Sequence, residues 1–183
     1  YLFEPAGSVH TLHVPADNDG ETDVWFTIHG ANLNLGADGG LYAELVKNGS
    51  FAFPEALMGW SKISPSLAKG ELSLRVDGPA NAARPNYLRI SSETVAPFGV
   101  CNEGFRGMGV RAGEAYDFSV QLRGVEGSPR VIVELVGSDG TTLAAAQLDG
   151  IASGWTQVRA TLHPTDTDAR ARLNLLLEGK GAV

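Results

Sequence analysis

The sequence predicts an all-β protein, a β-sandwich of jelly-roll type with one short helix. Three observations carry this. Apolar and polar residues alternate through most of the chain, the period-two signature of strands with one face in a core and the other in solvent. Clusters of Gly, Pro, Asn, Asp and Ser punctuate these runs at the spacing of a sandwich or jelly roll. No rhythm of alternating strand and helix is present, which argues against a nucleotide-binding α/β sheet.

Taken in order, Val9 to Val14 and Val24 to Ile28 read as two strands, with Asp17-Asn18-Asp19-Gly20 as the turn between them. Leu41 to Asn48 reads as the short helix: Leu41, Leu45 and Tyr42 share a face, Asp38 fits the N-cap, and Asn48-Gly49 closes it. Strands are then expected at Leu72 to Val76, Tyr87 to Ile90, Tyr116 to Arg123, Arg130 to Val136, Thr156 to Leu162 and Arg172 to Leu177. Gly70-Glu71, Asp77-Gly78-Pro79, Ala112-Gly113, Ser138-Asp139-Gly140 and Ser153-Gly154 separate them. The expected division is an N-terminal strand pair plus helix over 1–48 and a sandwich over 49–183.

Composition narrows the function classes. Hydrophobic residues make up 43% of 183, enough to bury a sizeable core, and 23 Gly with 9 Pro suit many turns. A net charge of −7 repels phosphate backbones, so no nucleic-acid partner is expected. No window approaches the roughly 18 apolar residues of a membrane span, so no membrane partner is expected either. No signal-peptide pattern is visible, and the start at Tyr1 reads as that of an excised or processed piece. The one cysteine, Cys101, allows no internal disulfide and reads as a packed thiol rather than a nucleophile.

Few clusters have the spacing that chemistry needs. His10 and His13 lie on a strand pattern, where an odd offset sends their rings to opposite faces, against a zinc pair. Asp17, Asp19, Glu21 and Asp23 alternate as calcium ligands can, but Thr22 and Ile28 stand where an EF-hand needs Gly and Glu. They read as a solvated acidic turn; a structural calcium elsewhere is left open with no ligands assigned, and no cofactor is expected. Asn102-Glu103 matches a dipeptide of retaining glycosidases, whose Glu needs a second carboxylate about 5–5.5 Å away. The barrel that carries that pair takes on the order of 250 residues and alternates strand with helix, so the dipeptide reads as a coincidence or a binding-loop feature. No nucleophile elbow, phosphate loop or paired Cys motif is present.

Polar strand faces remain. Sugars stack their C–H faces on aromatic rings and hydrogen-bond to Arg, Gln, Asn and carboxylates. By strand parity Tyr87 and Arg89, Gln121 and Arg123, Glu134 and Asn174 point outward. An ordinary solvated sheet face explains the same pattern. Trp25, Trp60 and Trp155 lie near strand ends or turns and suit core or rim packing as well as a sugar platform.

The run Gly36-Ala37-Asp38-Gly39-Gly40-Leu41-Tyr42-Ala43-Glu44-Leu45-Val46-Lys47-Asn48-Gly49-Ser50-Phe51, followed by Phe53 and by Met58-Gly59-Trp60, resembles the N-terminal region of α-L-arabinofuranosidases of glycoside hydrolase family 51. In many members a β-sandwich similar to carbohydrate-binding families 4 and 9 is inserted next. Asn86 to Arg89, Gly104 to Val110, Gly113 to Ser119 and Trp155 resemble its strands. The resemblance covers residues 26 to 183 and stops about where the catalytic barrel would begin.

Two departures matter. Where the family reads F-F-E-D-I-N, with a Glu that reaches the arabinose site, this chain has Ala31 and Asn32 at the Glu and Asp positions. Gly49 replaces the usual Arg of N-R-S-F, and Gln121 replaces a Trp or Tyr that would supply a stacking ring. The resemblance implies a non-catalytic module that binds plant cell-wall glycan, an arabinose- or xylose-containing polysaccharide or oligosaccharide. It would be an accessory to a catalytic glycosidase domain, in an extracellular or periplasmic setting. The expected binding residues are Tyr87 as platform, Arg89, Gln121, Arg123 and Glu134 as hydrogen-bonding groups, and Trp60 and Arg106 at the rim. The rival expectations are a spacer that binds no sugar, and a portion of an arabinofuranosidase whose site other residues complete.

Overall fold

The computed structural model describes residues 25–30, 45–76, 86–124, 126–179 and 181–182. The strands are β1 (Trp25–Gly30), β2 (Trp60–Ile63), β3 (Gly70–Arg75), β4 (Tyr87–Ser92), β5 (Phe98–Asn102), β6 (Met108–Val110), β7 (Tyr116–Leu122), β8 (Glu126–Gly127), β9 (Arg130–Val136), β10 (Thr142–Leu148), β11 (Thr156–Leu162), β12 (Asp168–Glu178) and β13 (Gly181–Ala182). The expected strand at Val9 to Val14 lies outside the described residues.

One sheet runs β10-β9-β12-β5-β2, with β6 pairing the early part of β12. Two further sheets run β1-β7-β11 and β3-β4-β13-β8. The chain is all-β, and every strand pair is antiparallel. β7 shows why these segments pair. Tyr116, Phe118, Val120 and Leu122 alternate inward and are buried, while Asp117, Ser119 and Gln121 face outward. Each such large side chain is worth about 1.5–3 kcal/mol when it leaves water. The inward rows of β4 (Leu88, Ile90), β9 (Val131, Val133, Leu135) and β12 (Leu173, Leu175, Leu177) meet them in one core.

β5 does not alternate, because all five of its residues are buried. It lies so close to β12 that a Cβ on Gly99 would stand 1.9 Å from the carbonyl oxygen of Leu175. Only glycine permits that approach.

The expected helix is not seen among the described residues. Leu41 to Glu44 lie outside them, and Leu45 to Asn48 form a bend and turn. The Lys47 N–H donates to Asn102 Oδ1 at 3.0 Å, which ties this turn to the end of β5. Asn48 then takes a left-handed φ of 53°, which Asn tolerates better than most residues. β1 pairs along its whole length with β7, and Val46, Phe51 and Trp60 enter the common core.

Candidate functional site

The outer face of β3 and β4 carries a polar concavity. The register Glu71↔Ser91, Ser73↔Arg89 and Arg75↔Tyr87 puts these six residues on one face, since Leu88 and Ile90 point the other way into the core. A groove of about 430 Å³ opens there, lined by Glu71, Ser73, Leu74, Arg75, Arg89 and Ser91. That size suits a small-molecule or sugar site.

At the Tyr87 end an aromatic cluster links this face to β7 and β11. The guanidinium of Arg123, just after β7, sits 4.5 Å from the centroid of the Trp155 ring, which precedes β11. Tyr87 meets the same indole edge-on, with ring centroids 6.1 Å apart. Gln121 and Gln157 are cross-strand partners on the adjoining outer face. The arrangement offers guanidinium donors, two serine hydroxyls, amides and one carboxylate, the groups that hydrogen-bond sugar hydroxyls.

Of the seven residues expected from sequence, Arg89 lines the groove, Tyr87 and Arg123 meet on Trp155, and Gln121 faces outward on β7. Two of them are placed differently than expected. Tyr87 and Arg123 are only 2% and 1% exposed, so Tyr87 offers no open ring for stacking and Arg123 is a buried cation packed on Trp155. The other three lie elsewhere. Glu134 faces outward from β9 on the opposite sheet, beside Asn174, whose Nδ2 donates to Glu134 Oε2 at 3.5 Å. Trp60 is a core residue, stacked at 5.4 Å on Phe51, with its indole N–H donating to the Asn48 carbonyl at 3.0 Å. Arg106 is exposed in the turn between β5 and β6.

Glu71, Ser73, Arg75 and Ser91 escaped the sequence reading. For Ser73 and Arg75 the signal was present as the outward parity of the strand expected over 72–76, but it acquires meaning only once β3 is known to pair with β4; Glu71 was read as a turn residue and Ser91 lay beyond the expected strand.

The Asn-Glu dipeptide is structural. Asn102 is fully buried, accepts from the N–H groups of Lys47 and Gly104 at 3.0 Å each, and donates to the Lys47 carbonyl at 2.8 Å. Glu103 is exposed and pairs with Lys47 Nζ at 3.1 Å. Burial raises the Cys101 thiol above its ordinary value, against the pull of Arg172 and a hydrogen bond with Ser61. His10, His13, Asp17, Asp19, Glu21, Asp23, Ala31 and Asn32 lie outside the described residues. Among the described residues no group of three or more His, Cys, Asp or Glu is placed to hold a metal ion.

No family model matches the chain. The extracellular exo-α-L-arabinofuranosidase of Streptomyces chartreusis is 32% identical over 164 residues, covering 88% of this chain and 19% of that protein. α-L-Arabinofuranosidase 2 of Arabidopsis thaliana is 27% identical over 200 residues, covering 96% of this chain and 28% of that protein. The structure of an arabinose-bound family 51 α-L-arabinofuranosidase superimposes with a TM-score of 0.64 at 29% identity, over 92% of this chain and 30% of the other. The chain is homologous to part of the family 51 α-L-arabinofuranosidases. It spans about a fifth to a third of the length of these family 51 relatives. The groove between β3 and β4 lies within that family 51 segment.

Proposed function

We propose that this chain is a non-catalytic, carbohydrate-binding module of a family 51 protein, taking plant cell-wall glycan in the groove on the outer face of β3 and β4. The groove itself carries the reading: a concave sheet face whose lining is mostly Arg, Ser and Glu, bordered by the Tyr87–Trp155–Arg123 cluster. Arg89 and Arg75 donate to sugar hydroxyls, Ser73 and Ser91 donate and accept, and Glu71 accepts. Tyr87 supports Trp155 from beneath instead of stacking on sugar, and Gln121 extends the polar face toward β11. Kinship with arabinofuranosidases supports a hemicellulose ligand and an extracellular setting like that named for the Streptomyces relative. Ala31 and Asn32, at positions where the family carries Glu and Asp, support the absence of catalysis by this chain alone.

Titration calorimetry against arabinoxylan, arabinan, xylan and β-glucan oligosaccharides tests this. Binding with a dissociation constant on the order of micromolar to millimolar is expected, lost in Arg89→Ala with the melting temperature kept. No heat with any glycan overturns the proposal in favour of a spacer that packs beside a catalytic domain. The exposed apolar side chains Leu57, Met58 and Phe105 at the β2 end of the sandwich favour that second reading.

A further inference from the structure

Asn48 is the only asparagine of this sequence that is followed by glycine. It is also the hub of the turn that leads toward β2. The residue is 4% exposed, and both ends of its side-chain amide are tied. Nδ2 donates to the carbonyls of Ala56 at 2.8 Å and Met58 at 3.3 Å, and Oδ1 accepts from the Phe53 N–H at 3.1 Å. The Asn48 backbone carbonyl accepts from the Phe51 N–H at 3.1 Å and from the indole N–H of Trp60 at 3.0 Å. These bonds hold a strained backbone. Asn48 and Phe51 take left-handed φ values of 53° and 51°, uncommon for any residue but glycine and an outlier for one as bulky as phenylalanine. Such conformations persist only where the surrounding structure imposes them.

We propose that Asn48-Gly49 is a self-modification site, at which the asparagine amide is lost when this turn opens and the carboxylate left behind keeps the turn from closing again. The reaction needs only water. The Gly49 backbone nitrogen attacks Asn48 Cγ, and its proton passes through solvent to the departing Nδ2. The Cγ–Nδ2 bond breaks, ammonia leaves, and a succinimide ring remains. Water then adds to one ring carbonyl or the other and opens the ring, giving aspartate or isoaspartate at position 48. Glycine favours the attack because it has no Cβ to crowd the nitrogen and its backbone turns freely. The folded turn blocks the attack. Gly49 is buried, and Cγ cannot swing toward the Gly49 nitrogen while Nδ2 and Oδ1 are held. The product does not fit the closed turn. An ionised carboxylate only accepts, so an oxygen in the place of Nδ2 faces the Ala56 and Met58 carbonyls, two acceptors that it cannot bond. Isoaspartate also lengthens the backbone, which displaces the carbonyl shared by Phe51 and Trp60. Left-handed Phe51 then loses the bonds that impose its conformation.

The experiment holds the whole chain in mildly alkaline buffer, with and without denaturing urea, and follows the amide-to-acid mass change by mass spectrometry. The tryptic peptide Asn48–Lys62 reports on the site alone, because Asn48 is its only side-chain amide. Conversion is expected to run at least about tenfold slower in buffer than in urea, since only the open fraction reacts. Asn48→Asp, made directly, is expected to melt at least about 4 °C below the parent chain, or not to fold at all. Either result shows that the turn rejects the carboxylate. Equal rates with and without urea, or no conversion in urea, overturn the proposal. So does an Asn48→Asp chain that melts with the parent. The rate comparison uses the unaltered chain, so it decides the matter even where the variant fails to fold.

Discussion

Arg123 and Trp155 form a buried cation–π pair, with the guanidinium carbon 4.5 Å from the indole centroid and the arginine only 1% exposed. A desolvated contact of this kind is worth about 2 kcal/mol or more. Arg123→Ala should therefore lower the urea-unfolding free energy by at least that amount. Arg123→Lys should fall in between, because the ammonium keeps the charge and loses the flat stacking surface. Equal stability of all three proteins would show that the pair contributes nothing.

Asn102 and Glu103, adjacent in sequence, should respond in opposite ways. Asn102→Ala leaves the Lys47 N–H and carbonyl and the Gly104 N–H without their partner, at a cost on the order of 3 kcal/mol. Glu103→Gln removes only an exposed ion pair and should change stability by less than about 1 kcal/mol. Thermal melts of the two variants check this. A larger loss for Glu103→Gln would contradict the structural role given to Asn102.

Acid should loosen one edge of the sandwich. The Ser138 N–H, the Arg170 N–H and the Ser138 hydroxyl hold the Asp168 carboxyl below its ordinary value, and the Thr141 N–H and hydroxyl do the same for Asp139. A depressed folded-state value means stability that is present above the unfolded carboxylate value, about 3.9, and is lost as pH falls through the folded one. Melting temperatures should therefore drop below about pH 4, and the drop should be smaller in Asp168→Asn. An unchanged acid profile in that variant would remove Asp168 from the account.

Cys101 should react slowly while the chain is folded. The residue is only 9% exposed, and burial raises its pKa, which lowers the thiolate fraction at any given pH. At about pH 8 an aromatic disulfide reagent should modify it far faster in denaturing urea than in buffer. Equal rates would mean that β5 opens readily.

Sequence period made parts of the fold legible and left others dark for identifiable reasons. The strands at Arg130–Val136 and Thr156–Leu162 fall where alternation places them, because each has one face in the core and one in water. β5 gives no alternation since both its faces are covered, and β10 is flattened by Ala144, Ala145 and Ala146, which lack contrast. Strands of two or three residues, such as β6, β8 and β13, are too short for any period. For the site, parity turned Tyr87, Arg89, Gln121 and Arg123 outward, on strands that belong to two different sheets. It carries no information about what lies over that face, so the burial of Tyr87 and Arg123 by Trp155 was invisible. Nor does parity say which sheet a strand joins, and Glu134 went to the one built on β9 and β12.

The clamp made by Asn102 also sets an order of events. It ties residues 55 apart in the chain, so the turn at Lys47 and Asn48 takes its shape only after β5 has been laid down. A ribosome releases the turn first and the clamp later. During that interval Phe51 and Trp60 lack the buried surroundings they find in the finished sandwich. The N-terminal part of this sandwich is therefore completed from its middle, and a chain cut before Asn102 would carry that turn with nothing to hold it.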